Sequence, residues 1–253
     1  MDLRMENKNV FQAGEFIDLV SRFDSEFPKA IQGASPGEID ELQKLAGQPL
    51  PESYTQFLSA MGKRSAWIDL GRDHRTAGTS DIASVIEFYE ECMKTGRDSA
   101  PPKCIAISVF GPDYDVCLDL GSPGEPRLVI SEGGRIVMEY AETLKKLLFR
   151  MAFNHCELET RPHVARFRSP DAAGVMDRVT PWAASLRFST RWFSDRNVLC
   201  GELGSILFAF RQYHGEPMIV SVGSTALDEI SRLEPVLFTQ FGLRPLSQRR
   251  GST

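Results

Sequence analysis

The sequence is poor in the residues that most chemistry requires. Its 253 residues include four histidines and five cysteines. The cysteines (Cys92, Cys104, Cys117, Cys156, Cys200) are odd in number and scattered, with no C-x-x-C pair. That spacing argues against a structural zinc and against a disulfide framework. They read instead as small core residues of a protein in a reducing cytoplasm. No G-x-S-x-G, P-loop, H-E-x-x-H or kinase signature occurs. No apolar run approaches the roughly 20 residues of a membrane span. Residues 1–9 are polar, so no signal peptide is expected. His74, in the polar stretch 71–78, has neither a partner nucleophile nor metal-ligand spacing, and reads as a solvated loop residue. No lysine follows Lys146. These absences point to a binding module without cofactor or metal rather than to an enzyme.

What is present is ordinary for a globular protein: 42% hydrophobic and 25% charged residues. Charge is unevenly divided. Residues 1–160 carry 17 Lys+Arg against 26 Asp+Glu, net −9; residues 161–253 carry 12 against 8, net +4. The acidic first part disfavours a nucleic-acid surface there and suits a basic protein partner.

The stretch 35–62 organises the rest. Ser35, Pro36 and Glu38 form an N-cap, a first-position proline and a capping box. Ile39, Leu42, Leu45 and Ala46 recur at helical spacing, and Gly47 ends that helix. Pro49 and Pro51 stiffen the turn around Leu50. A second helix follows to Gly62, with Tyr54, Phe57, Leu58 and Met61 as its apolar stripe.

A leading helix is expected before residue 29, with Phe16, Leu19, Val20, Phe23 and Phe27 inward. A short strand is expected at 67–70. Thr79 or Ser80 should cap a helix reaching about Lys94, with Ile82, Val85, Ile86, Tyr89 and Met93 inward. Four strands follow, near 103–110, 114–120, 127–131 and 135–140, joined by tight Gly-containing turns. Such spacing implies an antiparallel meander. A closing helix spans about 142–155, with Leu144, Leu147, Leu148 and Met151 inward.

Leu-Ala-Gly, x-Pro-Leu-Pro-Glu-x-Tyr-x-x-Phe-Leu and a final Gly, followed by this meander, resemble the SUKH superfamily. That family includes a fungal cell-wall-synthesis regulator and many bacterial immunity proteins that neutralise polymorphic toxins. The meander parallels are 105–109, the turn 111–114, Cys117-Leu118-Asp119-Leu120, 126–130 and 143–149, so the resemblance covers about residues 35–155. One departure is the Gly-Pro-Asp-Tyr-Asp turn, where the family commonly has Gly-Asp.

The densest carboxylates are Asp113, Asp115 and Asp119. On an extended strand Asp115 and Asp119 share a face, but lie roughly 13 Å apart, too far for one metal ion. Beyond a boundary near 156–170, a helix is expected at 172–180 and strands at 186–193, 205–213 and 217–222. The last helix should begin at Ser224 or Thr225, with Leu227, Ile230, Leu233, Leu237 and Phe241 inward and Gly242 at its end. Residues 201–204 read as a turn and 247–253 as disordered. Trp182, Trp192 and Phe193 read as core.

The expected fold is α+β: a mainly antiparallel sheet flanked by helices (1–158) with a smaller C-terminal α+β domain (159–253). The resemblance implies a non-enzymatic immunity protein that sterically blocks a cognate toxin, possibly a basic nuclease. The expected toxin-binding residues are Trp67, Asp69, Asp73, Asp113, Tyr114 and Asp115, with no nucleic-acid or membrane partner. The alternative is an intracellular scaffold or regulatory adaptor without a toxin.

Overall fold

The computed structural model describes residues 10–71, 79–110, 114–170 and 174–249, with backbone alone for 110 and 247–249. The chain is α+β and forms two compact units, one within Glu6–Leu148 and one within Phe149–Thr253.

The first unit opens with α1 (Ala13–Ser21), α2 (Phe27–Ala30) and β1 (Ile31–Gln32). Phe11, Phe16 and Phe27 are fully buried. Phe23 is not; it is 41% exposed because the helix expected to carry it stops at Ser21. The organising hairpin is α3 (Pro36–Ala46) and α4 (Glu52–Met61). Ser35 caps α3 in a complete capping box, and Gly47 closes it at φ +69°. Leu42, Tyr54, Phe57 and Leu58 are fully buried, with Met61 and Leu50 nearly so. Glycine is needed at two crowded points of the hairpin. A Cβ on Gly33 would stand 1.9 Å from the Ser59 carbonyl oxygen, and one on Gly62 2.6 Å from that of Leu58.

The strand after α4 is β2 (Arg64–Ser65), paired with β1. It precedes the residues expected to be extended. Ala66 takes φ +55°, and the Ile68 amide donates to the Ser65 carbonyl, so 65–68 is a turn. Ile68 and Leu70 are buried all the same, and that burial produced the strand-like alternation. Helix α5 (Ile82–Thr95) is capped by Asp81, which accepts from the Ser84 amide, rather than by Thr79 or Ser80. Met93 is 69% exposed; Cys92 holds the buried position beside it.

The meander follows as β3 (Cys104–Phe110), β4 (Tyr114–Asp119), β5 (Arg127–Glu132) and β6 (Arg135–Ala141), in that spatial order and all antiparallel. One face is covered by α5, whose Tyr89 hydroxyl accepts from the Ala106 amide at 2.9 Å. Helix α6 (Leu144–Ala152) continues into a π-helical segment, Phe153–Leu158. Among the described residues no helix is long and apolar enough to cross a membrane.

The second unit is larger in sheet than expected. It contains β7 (His163–Arg168), α7 (Val175–Ser185), β8 (Ser189–Thr190), β9 (Val198–Leu203), β10 (Ile206–Arg211), β11 (Ile219–Ser224), α8 (Leu227–Phe241) and β12 (Arg244–Arg249). The strands form one antiparallel sheet ordered β12-β7-β11-β10-β9-β8. Three corrections follow. The 163–168 stretch is a strand, not part of a boundary. Residues 201–203 belong to β9, not to a turn. The chain stays in the sheet to Arg249, where disorder was expected. Only Ser189–Thr190 of the expected strand 186–193 is extended, and the helix expected to end at 180 runs to Ser185.

The core of this unit lies between the sheet and helices α7 and α8. It includes Phe167, Val179, Phe208, Phe210, Val220, Ile230, Leu237 and Phe241. Trp182 packs edge-on against Phe210 and Phe241, at 6.2 and 5.2 Å between centroids. Helix α8 runs unbroken through Pro235, has Ala226 at its N-cap and ends at Gly242 with φ +67°. The Ser224 hydroxyl still supports its start, accepting from the Ala226 amide. All five cysteines are buried.

A buried ion pair ties the start of this unit to its loop. Arg150 Nη1 meets Asp195 Oδ2 at 2.8 Å, with both side chains essentially inaccessible. Asp195 Oδ1 accepts from the Asn197 and Val198 amides. Removing one partner takes the opposite charge away from a group that water does not reach.

Two stability predictions follow from these contacts. Gly33→Ala should cost about 3 kcal/mol, since backbone must shift to admit the methyl. Asp195→Ala should cost about 3–5 kcal/mol by removing the carboxylate that faces the buried Arg150 guanidinium. Urea unfolding of each variant checks both; a change under about 0.5 kcal/mol would contradict the contact concerned.

Candidate functional site

The described residues among the sites anticipated from sequence lie in the first unit, Trp67 and Asp69 in the chain after β2, Tyr114 and Asp115 at the start of β4. Trp67 is half-buried, its ring 5.4 Å from that of Phe27 and tilted by 40°. It joins a row of rings: Phe11 to Phe16 is 5.7 Å, and Phe16 to Phe27 is 6.2 Å. Asp69 is half-buried, and its Oδ1 accepts from the Gly71 amide at 3.0 Å, an Asx turn. Asp73 and Asp113 lie outside the described residues, as does His74.

The chain re-enters the described structure at Thr79, which bridges Val109 on β3. Val109 is itself paired with Asp115 on β4, beside the Phe110–Tyr114 pair that ends the hairpin. The chain described again from Thr79 therefore lies along the free edge of β3, with β3 between it and Tyr114 and Asp115. No direct contact of Trp67 or Asp69 with Tyr114 or Asp115 is among those described.

Asp115 and Asp119 share the α5-covered face of β4 but have opposite surroundings. Asp119 is satisfied. Arg127 reaches its Oδ2 through Nε and Nη2, both at 2.8 Å, and the Gly121 amide donates to Oδ1 at 2.8 Å. Burial opposes its ionisation, but those donors outweigh it and hold its pKa below the ordinary carboxylate value.

Asp115 has no such support. Its Oδ1 is buried with no hydrogen-bond partner. Opposite it on β5 stands Ser131, 1% exposed, whose hydroxyl is also without a partner. Burial pushes the Asp115 carboxyl up to about 7, against a lesser downward pull from Arg97. Arg97 cannot do more because it is engaged elsewhere. Its guanidinium lies over the Phe88 ring at 5.4 Å and donates to Cys92 Sγ at 3.5 Å. Tyr89 and Cys117 are the other titratable groups that feel this carboxylate.

Sequence reasoning named Asp115 but missed Ser131 and Arg97. The meander register could have placed Ser131 opposite Asp115. Nothing in the sequence marks Arg97 as diverted onto Phe88. Among the described residues no group of three His, Cys, Asp or Glu could hold a metal ion.

The family model for SMI1 / KNR4 (SUKH-1) matches residues 33–150. The match begins at the glycine that approaches Ser59 and ends within α6, so it takes in the hairpin, α5 and the meander. Residues 33–150 belong to the SUKH superfamily. No curated protein matches the chain.

The contrast between the two aspartates yields a pH prediction with a definite sign. A carboxyl whose folded pKa is raised disfavours folding once ionised. That penalty is absent below about 4, grows as pH rises, and is complete above about 7. Asp115→Asn should therefore raise Tm at pH 8 and leave it unchanged near pH 4. Asp119→Asn should lower Tm at pH 8. Thermal melts across pH check this; equal responses of the two variants would contradict it.

Proposed function

We propose that the protein is an immunity-type binding module that sterically blocks a cognate toxin, with a contact patch that includes Trp67, Asp69, Asp73, Asp113, Tyr114 and Asp115. Membership of residues 33–150 in the SUKH superfamily supports a protein-binding role. One observation carries the choice of patch: the Asp115 carboxylate is half-buried and under-satisfied in the free chain. A cationic side chain from a partner would supply the donor that the fold withholds. Charge-assisted hydrogen bonds of this kind are strong where water is excluded. The half-buried ring of Trp67 and the phenol of Tyr114 are of the residue types that anchor interfaces.

The first unit carries 15 Lys+Arg against 23 Asp+Glu between residues 6 and 148, net −8. A basic partner, such as a nuclease toxin, suits that balance. Complementary charge speeds encounter and disfavours wrong partners.

The test is co-purification with the product of the neighbouring gene, followed by titration of variants. Asp115→Arg, and Asp113→Arg with it, should weaken the complex by about tenfold or more and flatten its salt dependence. Trp67→Ala should weaken it by at least about 1 kcal/mol. Unchanged affinity in all of these would remove this patch from the interface.

A further inference from the structure

Asp119 and Asp115 each have an arginine whose charge acts on them, and only one of these arginines arrives. Arg127 stands directly opposite Asp119 on the neighbouring strand, so a short cross-strand reach brings its guanidinium to the carboxylate. Arg97 comes from the chain just after α5. Where its side chain comes to rest depends on what competes for it.

The backbone leaves the arginine little freedom. Helix α5 closes at Gly96, φ +65°, whose amide donates to the Cys92 carbonyl. The Arg97 amide donates to the same carbonyl at 3.0 Å. These bonds pin the Arg97 backbone to the last turn, and the side chain then runs back along the helix. Its guanidinium lies over Phe88 and donates to Cys92 Sγ. Residues 88 and 92 are four apart and share a helix face, so the ring and the sulfur form one seat. The seat is firm. Cys92 is 1% exposed, and the half-buried Phe88 ring packs edge-on against Tyr89 at 5.8 Å.

Neither contact is strong. Sulfur is a weak acceptor, and a cation over a ring at an exposed site gains little. Arg97 is exposed there and keeps its water. Pairing with Asp115 would form a charge-assisted hydrogen bond and would strip that water away. The two positions therefore oppose terms of similar kind, and weak contacts on the Phe88 side can decide between them.

Nothing else near Asp115 takes the place of the guanidinium. Its strand neighbours are Val109 on β3 and Ser131 on β5. The Ser131 hydroxyl is buried without a partner, like Asp115 Oδ1 itself. The other titratable groups that sense the carboxylate are Tyr89 of α5, whose hydroxyl accepts from the Ala106 amide, and Cys117 on β4.

We propose that Phe88 and Cys92 are positioning residues that draw Arg97 back along α5 and so keep Asp115 open, and that without them Arg97 folds across Asp115 and closes it. The use of an open Asp115 rests on the binding role proposed above. The diversion of Arg97 does not, because it is a property of the free chain.

The test is made on the full chain labelled with carbon-13 at the aspartate carboxyl, the Asp115 resonance being assigned by its loss in Asp115→Asn and followed by NMR across pH. In the parent chain it should titrate near 7. Phe88→Leu and, separately, Cys92→Ala should each lower that midpoint by about one pH unit or more, as a guanidinium reaches the carboxylate. Adding Arg97→Gln to either should restore it. Phe88→Tyr keeps a ring beneath the cation and should leave the midpoint where it was. Asp119 should keep its own titration throughout. An unmoved midpoint in both Phe88→Leu and Cys92→Ala, a fall that Arg97→Gln does not reverse, or a parallel shift of Asp119 would each overturn the proposal. No partner enters these titrations, so they stand or fall apart from the affinity measurements that test the patch.

Discussion

The first unit depends on how closely two backbones can approach. Helix α4 buries Tyr54, Phe57, Leu58 and Met61 along one stripe. That stripe can seat only if the chain at Gly33 passes against the Ser59 carbonyl, where the Ala34 amide donates to Leu58 at 2.8 Å. A Cβ at Gly33 would force the passing chain off α4, and one at Gly62 would crowd the Leu58 carbonyl and Ala34. Pro49 and Pro51 matter for a related reason. They limit the paths by which α3 can return as α4, and the Leu50 amide in between is secured by Gln43 Oε1. The turn is stiff because its alternatives are removed, not because its contacts are numerous.

This local determinism is why the first unit was so legible. Capping box, proline turn, glycine stop and meander are signals written within a few residues of the structure they specify. Where the sequence misled, a tertiary contact had replaced a local rule. The 67–70 alternation was real burial, but Ala66 in a left-handed conformation made it a turn. Thr79 looked like a cap and instead bridges Val109, leaving the cap to Asp81.

The second unit was read poorly for the same physical reason in reverse. Strands β7 and β12 are rich in arginine and contain or follow proline, which locally signals linker. They are strands because one face of each residue pair meets a core that only the complete sheet creates. Gly201 suggested a turn. In β9 it serves close approach: a Cβ there would stand 2.3 Å from the Ser189 carbonyl and 2.4 Å from the Phe188 ring. Glycine inside a strand marks such contacts as often as it marks a bend, and a single sequence does not distinguish them. In the candidate site, carboxylate identity was legible and carboxylate environment was not. Asp115 and Asp119 look alike at four-residue spacing and differ only through Arg127 and Arg97, which come from other elements.

That difference bears on the proposed binding role. The fold demonstrably can satisfy a carboxylate on this face, since Arg127 and the Gly121 amide do so for Asp119. Four residues earlier, the available arginine is held by Phe88 and Cys92, and the carboxylate is left with an unfilled acceptor beside an unfilled serine hydroxyl. For stability alone an asparagine at this position would serve better, because it carries no charge to bury and brings its own donors. A charge kept under these conditions acts against folding at neutral pH and does nothing for the hairpin. In the role proposed above, its value lies in what meets the surface from outside. A cationic side chain entering the same half-buried site would gain more there than at a fully solvated aspartate, because less water screens the pair. The penalty in the free protein and the gain in a complex have one origin, the exclusion of solvent around Asp115.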